Sequence, residues 1–239
     1  MATTFIIQGT VMQKAFGFVD ASEMNNADTL SVLLFGNIIT RLILPAFASR
    51  GIKVPTNYKF AAGTSLGALA ILSSIVIEHN IKKHYFETGD KISILWQVFP
   101  YMFIGAGEIL SFAAAFEIAF VIAPAKDKAL ASAASLFIQG GISNILCLGL
   151  YNICSPFFYN DNGTADITDI DTYVTANLQN YFWLLFAIGI FGVVLNLLPP
   201  VSRWLKSIEE SKATSKDSFI DRDSLLNDTF SESETMNIH

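Results

Sequence analysis

Residues 92–123 read ISILWQVFPYMFIGAGEILSFAAAFEIAFVIA, an apolar run whose only carboxylates are Glu108 and Glu117. An α-helix crosses a bilayer core of about 30 Å with roughly 20 mainly apolar residues. This run is longer, because a continuous helix of its length would extend about 48 Å. The stretch therefore predicts a membrane-spanning helix that tilts, protrudes or bends.

The composition of the whole chain agrees with a membrane protein. Its 239 residues are 52% hydrophobic and 15% charged, with a mean hydropathy of +0.45, whereas soluble domains are about a quarter charged. Five stretches are too long and too continuously apolar for the alternating strands of a barrel. We expect an all-α membrane protein with five complete transmembrane helices, at about 29–47, 58–78, 92–123, 129–153 and 181–200.

The domain organisation follows from the same stretches. The transmembrane bundle is predicted over 28–203, and the short apolar part of 1–27 reads as the remnant of a further transmembrane helix followed by an external loop. The end of the chain, 204–239, is rich in Ser, Asp, Glu and Lys without apolar periodicity. It is predicted to be a disordered tail.

Positive residues lie mostly on one side of the predicted membrane. One set of connections, 41–59, 124–128 and the tail from 200, holds Arg41, Arg50, Lys53, Lys59, Lys126, Lys128, Arg203, Lys206, Lys212, Lys216 and Arg222. The opposite set holds Lys14, Lys82, Lys83 and Lys91. Because cytoplasmic loops carry the excess of Lys and Arg, the tail is predicted to be cytoplasmic, with the 79–91 and 154–180 connections outside.

Modification and sorting signals fit this topology. Asn162, in the sequence NGT of the external 154–180 connection, is a candidate glycosylation site. Asn227, in the sequence NDT, is predicted to be cytoplasmic and unused. Residues 221–226, DRDSLL, resemble sorting signals toward endosomes or vacuoles. We expect an integral multi-pass protein of the plasma membrane or of an endosomal or vacuolar membrane.

The two acids of the opening stretch have different predicted roles. An ionisable residue at the centre of a membrane helix costs about 2.5–3.5 kcal/mol on insertion scales and marks a functional site by default. At about 100° per residue, Glu117 lies on the opposite face from Glu108 and roughly 13 Å further along the helix. Glu108 is predicted to face a cavity and bind substrate, and Glu117 to pack against a neighbour or act in gating. A purely structural acid is the alternative for each.

Small and kink-forming residues carry further predictions. Pro100, Gly105 and Gly107 predict a bend just before Glu108, as in transporters that use broken helices. The glycines of the GTSLG sequence at 63–67 predict a close helix–helix contact.

Polar residues of the fourth stretch are candidates for the same cavity. Gln139, Ser143 and Asn144 either line it or hydrogen-bond between helices. Cys147 and Cys154 suit two packed thiols better than a disulfide, and no spacing of ligands predicts a metal site. No nucleophile, base and orienting group occur together, so neither an enzyme nor a cofactor is predicted.

The opening stretch resembles a transporter family. Residues 96–101 (WQVFPY), Gly107–Glu108, 116–120 (FEIAF) and Ala123–Pro124 are similar to the tenth transmembrane helix of the proton-dependent oligopeptide transporters of the major facilitator superfamily. Similarities to the seventh and eighth helices and the loop that follows lie in 5–12, 24–28, Pro45 and 50–53. The resemblance extends from Thr4 to about Lys206 and implies helices 8 to 12 of a C-terminal six-helix bundle.

The family resemblance implies a function. It gives Glu108 the role of binding the amino terminus of a di- or tripeptide in a peptide:proton symporter, with the peptide, the proton and the bilayer as partners and no nucleic acid. The sequence departs from the family at 125–129 and near Ser135, and the family's first six helices are missing. Two alternatives remain: a truncated, non-transporting regulatory partner of a full-length transporter, and a carrier of nitrate or another small solute.

Overall fold

A computed structural model describes residues 2–52, 54–157, 167, 169–208 and 210. In this part of the chain all regular elements are helical, apart from isolated β-bridges. The helices are α1 (Ala2–Thr10), α2 (Ala21–Ser49), α3 (Thr56–Thr88), α4 (Ile94–Ile122), α5 (Lys128–Cys154), α6 (Ile170–Thr175), α7 (Leu178–Leu197) and α8 (199–208). The signals predicted at Asn162, 221–226 and Asn227 lie outside the described residues.

Five of these helices, α2, α3, α4, α5 and α7, are long and apolar enough to cross a membrane. The predicted all-α fold with five such helices is confirmed. Several helices extend beyond the predicted stretches, because hydropathy identifies only the apolar part of a helix and polar turns continue it.

The tail prediction needs a correction at its start, since α8 includes residues 204–208. Prolines at 199 and 200 suit the first turn of a helix, and Leu205 is buried.

Local capping explains where two of the helices begin and end. The Asp20 carboxylate accepts the backbone N–H groups of Ser22 and Glu23 at 2.8 and 3.3 Å, and the Glu23 side chain accepts the Asp20 N–H at 3.2 Å. This capping box begins α2 before the apolar stretch. Side-chain hydrogen bonding with Glu23 and the backbone bonds lower the pKa of Asp20 to about 2. Helix α3 ends at Gly89, whose left-handed φ of 74° suits glycine.

Helix α4 has no break ahead of Glu108. After a 3₁₀ turn at Ile94–Gln97 the α-helix runs without interruption over Val98–Ile122. Pro100 lies in its first turn, where a missing N–H costs no helical hydrogen bond. The irregular turns of the bundle occur instead in α2 and α5, as π-helical turns at Ile39–Ile43 and Phe137–Ile142.

The glycines predicted to bend α4 bring neighbouring helices close together. A Cβ on Gly107 would lie 2.8 Å from the Gly63 carbonyl oxygen of α3, and one on Gly63 would lie 2.7 Å from the Gly107 carbonyl oxygen. A Cβ on Gly105 would lie 2.8 Å from the Val32 nitrogen of α2. The helix contact predicted for Gly63 is present. Helix α4 is thus packed tightly between α2 and α3.

The hydrophobic core lies where α1 and α6 meet the adjoining ends of α3, α4 and α7. The buried ring of Phe5 contacts Tyr101 edge-on, at 5.7 Å between centroids, and Phe182 at 6.5 Å. Helix α5 is the contrast, because none of its residues is buried. It meets α7 where Cys147 and Tyr151 contact Tyr181. The space that α5 leaves beside α3, α4 and α7 forms the candidate site.

Candidate substrate cavity

A cavity of about 760 Å³ lies between α2, α3, α4, α5 and α7. Most of its wall is apolar, and Gly63 and Gly67 of α3 and Gly107 of α4 are part of the lining. Its polar lining consists of Asp28, Tyr101, Glu108, Ser111, Gln139, Ser143 and Asn144. Four residues selected from the sequence, Glu108, Gln139, Ser143 and Asn144, therefore share one cavity. A cavity of this volume and mixed lining can hold a small molecule.

Glu108 is the central acid of this wall. It is half-buried on α4, one residue after Gly107, and makes no hydrogen bond or ion pair with the described residues. The tight contact at Gly107 fixes this part of α4 on α3. The carboxylate is consequently held on a rigid helix with its oxygens free for a ligand.

Two further polar groups of the cavity lack partners. Oδ1 of Asp28 and the hydroxyl of Tyr101 are buried without a hydrogen bond to any described residue, and Tyr101 is only 1% exposed. Buried polar groups in native proteins are almost always hydrogen-bonded, so unpaired ones call for a ligand, a water or an ion. Asp28 and Tyr101 thus extend the polar surface that Glu108 begins.

Both residues lie in stretches that carry the family resemblance, but neither was predicted to have a role. Tyr101 stood in the motif of the tenth helix, and Asp28 preceded the first predicted stretch. The rule that identified Glu108, an acid within a membrane helix, applies equally to Asp28. The signal was missed because α2 begins well before its apolar part.

The polar residues of α5 line the cavity and also bond within their own helix. Gln139 donates to the Ser135 hydroxyl at 2.8 Å, Ser143 to the Ile138 carbonyl at 3.2 Å, and Asn144 to the Gly140 carbonyl at 2.7 Å. With the described residues, these donors form no hydrogen bond to another helix. Gln139 lies within the π-helical turn of α5, and such turns occur frequently at functional sites.

Glu117 does not line the cavity. Its carboxylate forms an ion pair with Lys59 of α3 at 2.9 Å, with side-chain exposures of 36% and 19%. On the uninterrupted α-helix, the nine residues from Glu108 to Glu117 correspond to a rotation of about 180°. Glu117 ties α4 to α3, which matches the packing role among those expected for it.

The described residues include His, Cys, Asp and Glu, whose side chains are the usual ligands of metal sites. No group of three such side chains in the described part of the chain could hold a metal ion. Cys147 and Cys154 form no disulfide in the described part of the chain, and Cys147 Sγ lies 3.9 Å from the Tyr181 hydroxyl.

The family model described as "PTR2: POT family" matches residues 1–161. The chain therefore belongs to the POT family, a family of membrane transporters. The family resemblance predicted from the sequence is confirmed.

Curated relatives and a solved structure agree with this assignment. The protein is 27% identical to Protein NRT1/PTR FAMILY 7.2 of Arabidopsis thaliana, covering 90% of this chain and 38% of the relative. It is 26% identical to Protein NRT1/PTR FAMILY 8.1 of the same plant, covering 78% and 36%. The chain thus spans less than two fifths of the length of these relatives. The crystal structure of an auto-inhibited POT family peptide transporter shares the fold, with a TM-score of 0.52 and 17% identity over 81% of this chain and 36% of that one.

Proposed function

We propose that the chain is the C-terminal bundle of a peptide:proton symporter, which moves di- or tripeptides or similar small solutes across a membrane. The observation that carries this proposal is the Glu108 carboxylate, unpaired on the cavity wall and accompanied by Asp28 and the Tyr101 hydroxyl. Glu108 is assigned to the peptide's ammonium group. Gln139, Ser143 and Asn144 are assigned to the wall around the rest of the peptide.

The chemistry of this lining favours a ligand that carries positive charge. Opposite unit charges about 4 Å apart attract by about 4 kcal/mol at an effective dielectric constant near 20. The residues that line the cavity include two carboxylates and no Lys, Arg or His. Two carboxylates facing one space repel each other when both are charged, and a bound ammonium or a proton relieves that repulsion. Substrate and proton can therefore be coupled through Asp28 and Glu108.

The same lining argues against nitrate, the alternative substrate expected from the sequence. An anion entering a cavity with two acids and no basic side chain meets repulsion and no compensating charge. A nitrate site here would need a cation from outside the residues that line this cavity.

A complete transport cycle would use a second bundle. Alternating access in transporters of this type rocks one bundle against another around a site between them. The relatives are long enough to contain such a bundle. The second bundle or lipid can cover the exposed apolar side chains of α5, such as Leu130, Ile145 and Leu146.

We assign the protein to the plasma membrane or to an endosomal or vacuolar membrane, with a cytoplasmic C-terminus. We also propose that the Glu117–Lys59 pair takes part in closing the cytoplasmic end.

The regulatory alternative uses that same exposed surface of α5 for a different contact. If the bundle pairs with a full-length transporter without transporting, α5 supplies the contact. Co-purification with a full-length relative, in the absence of peptide uptake by the pair beyond that of the relative alone, would select this function.

The proposal is tested by dipeptide binding to the chain in lipid nanodiscs, measured by isothermal titration calorimetry. Hydrogen bonds to charged groups contribute about 1.5–3 kcal/mol, so Glu108→Gln should weaken binding by roughly tenfold or more. Glu87→Gln is the control, because it makes the same change at an exposed acid of α3 outside the cavity, and it should bind like the wild type. Equal affinities of the wild type and Glu108→Gln would refute the assignment.

A further inference from the structure

A buried polar cluster lies outside the substrate cavity, centred on Glu78 of α3. Glu78, Gln8 and Tyr173 have exposures of 0%. The Tyr173 hydroxyl donates to the Glu78 carboxylate, Gln8 Nε2 lies 3.5 Å from Glu78 Oε2, and Lys82 Nζ lies 3.4 Å from Glu78 Oε1. Burial, with the neighbouring carboxylate, raises the pKa of Tyr173, so its hydroxyl keeps the proton that it donates.

This cluster joins segments that are far apart in the chain. Gln8 lies on α1 and also donates to the Ser74 carbonyl of α3 at 3.0 Å. Tyr173 lies on α6, and Lys82 donates to the Ala176 carbonyl just after α6 at 2.7 Å. Glu78 thus contacts both α1 and α6, and two further bonds of Gln8 and Lys82 lie beside it.

Helix α1 connects the cluster to the cavity. At the start of α4, Gln97 donates to the Phe5 carbonyl of α1 at 2.8 Å. The Phe5 ring, in turn, contacts Tyr101 edge-on with 5.7 Å between centroids. Tyr101 is the residue whose buried, unpaired hydroxyl reaches the cavity. A displacement of α1 would therefore displace Phe5, which contacts Tyr101 in the cavity wall.

We propose that Glu78 is a positioning residue: its buried contacts fix α1 on α3, and α1 in turn holds Tyr101 at the wall of the cavity. Removing one partner of a buried ion pair leaves the other without compensation. The effect should be local, because the contacts of the cluster involve only α1, α6 with the residue after it, and the adjoining part of α3. The inference concerns the geometry of the wall and does not depend on which substrate the cavity takes.

Hydrogen–deuterium exchange of the chain in nanodiscs tests the first step. Glu78→Ala should raise the exchange of the α1 and α6 amides about tenfold or more, by opening these segments locally. Glu78→Gln keeps the shape but loses the ion pair, and Tyr173→Phe loses one hydroxyl, so both should raise exchange in the same segments by smaller factors. Glu87→Ala is the control, since Glu87 is an exposed acid on the same helix.

The fluorine-19 NMR signal of 3-fluorotyrosine placed at position 101 tests the second step. Glu78→Ala, and Phe5→Leu at the intervening contact, should both shift or broaden this signal, whereas Glu87→Ala should leave it unchanged. Unchanged α1 exchange in all three cluster variants would overturn the inference, as would a uniform rise across every helix. A fluorine signal with unchanged chemical shift and line width in both Glu78→Ala and Phe5→Leu would overturn the link to Tyr101. None of these readouts uses a ligand, so failure here is separate from failure of the proposed function.

Discussion

The Glu117 carboxylate of α4 lies 2.9 Å from the Lys59 ammonium of α3, whereas Glu108, on the same helix, faces the cavity and has no partner among the described residues. One acid is neutralised between two helices and the other is left available. The sequence could place the two acids only on different faces of the helix. Their different environments support different roles for them.

The Lys59–Glu117 pair should stabilise the contact between α3 and α4. Both side chains are partly buried, so we expect Glu117→Gln or Lys59→Met to lower the free energy of unfolding by about 1 kcal/mol. The double variant should lose less than the sum of the single variants. Thermal unfolding in a double-mutant cycle measures this coupling, and strictly additive losses would show that the pair contributes nothing.

Gly63 should be far less tolerant than Gly67, one turn further along α3. A Cβ at Gly63 would lie 2.7 Å from the Gly107 carbonyl oxygen, and one at Gly67 would meet nothing within 4 Å. Gly63→Ala should therefore cost about 1–3 kcal/mol through forced displacement of α4. Gly67→Ala should be neutral or stabilising by up to about 1 kcal/mol, because alanine is the better helix former. Similar unfolding temperatures for the two variants would contradict the close contact.

The capping box at Asp20 should make the start of α2 sensitive to acid. Its pKa in the folded chain is about 2, below the ordinary value of 3.8. A lowered folded-state pKa stabilises the protein above the unfolded pKa, and this stabilisation disappears as the pH falls through the folded value. The difference in unfolding temperature between the wild type and Asp20→Ala should therefore shrink from about pH 5 to about pH 2. A difference that is constant over this range would exclude the carboxylate as its source.

The predicted topology has a covalent test in the two glycosylation sequences. If the 154–180 connection is external, Asn162→Gln should abolish a glycan that a deglycosylating enzyme removes from the wild type. Asn227→Gln should change nothing. A glycan at Asn227 would place the tail outside and reverse the orientation inferred from the Lys and Arg distribution.

The helices could be predicted from the sequence more fully than the contacts between them. Hydropathy was sufficient for five membrane-spanning helices, and the cost of an acid in an apolar helix was sufficient to single out Glu108. A glycine that bends a helix and one that admits a neighbour look alike in one sequence, so the close contacts of Gly105 and Gly107 were not predicted. Pairings such as Lys59 with Glu117 join residues far apart in the chain and depend on tertiary packing.

The Glu78 cluster shows the same limit. The acid stood at the end of a predicted stretch, where hydropathy falls and a charged residue is ordinarily taken as solvated. Its burial arises only when α1 and α6 cover it, and neither short helix has a strong periodic signal of its own. Asp28 was overlooked for a related reason, because the polar first turns of α2 lie outside the apolar stretch.

The central claim is that Glu108 binds the ammonium group of a peptide, and a pair of ligands tests it most directly. Affinities of a dipeptide and of its N-acetylated form should be measured for the wild type and for Glu108→Gln in nanodiscs, with sodium nitrate as competitor. The account predicts that the wild type prefers the free amino terminus by about tenfold or more, that Glu108→Gln loses this preference, and that nitrate does not compete. Equal binding of the two peptides by the wild type, or displacement by nitrate, would contradict it.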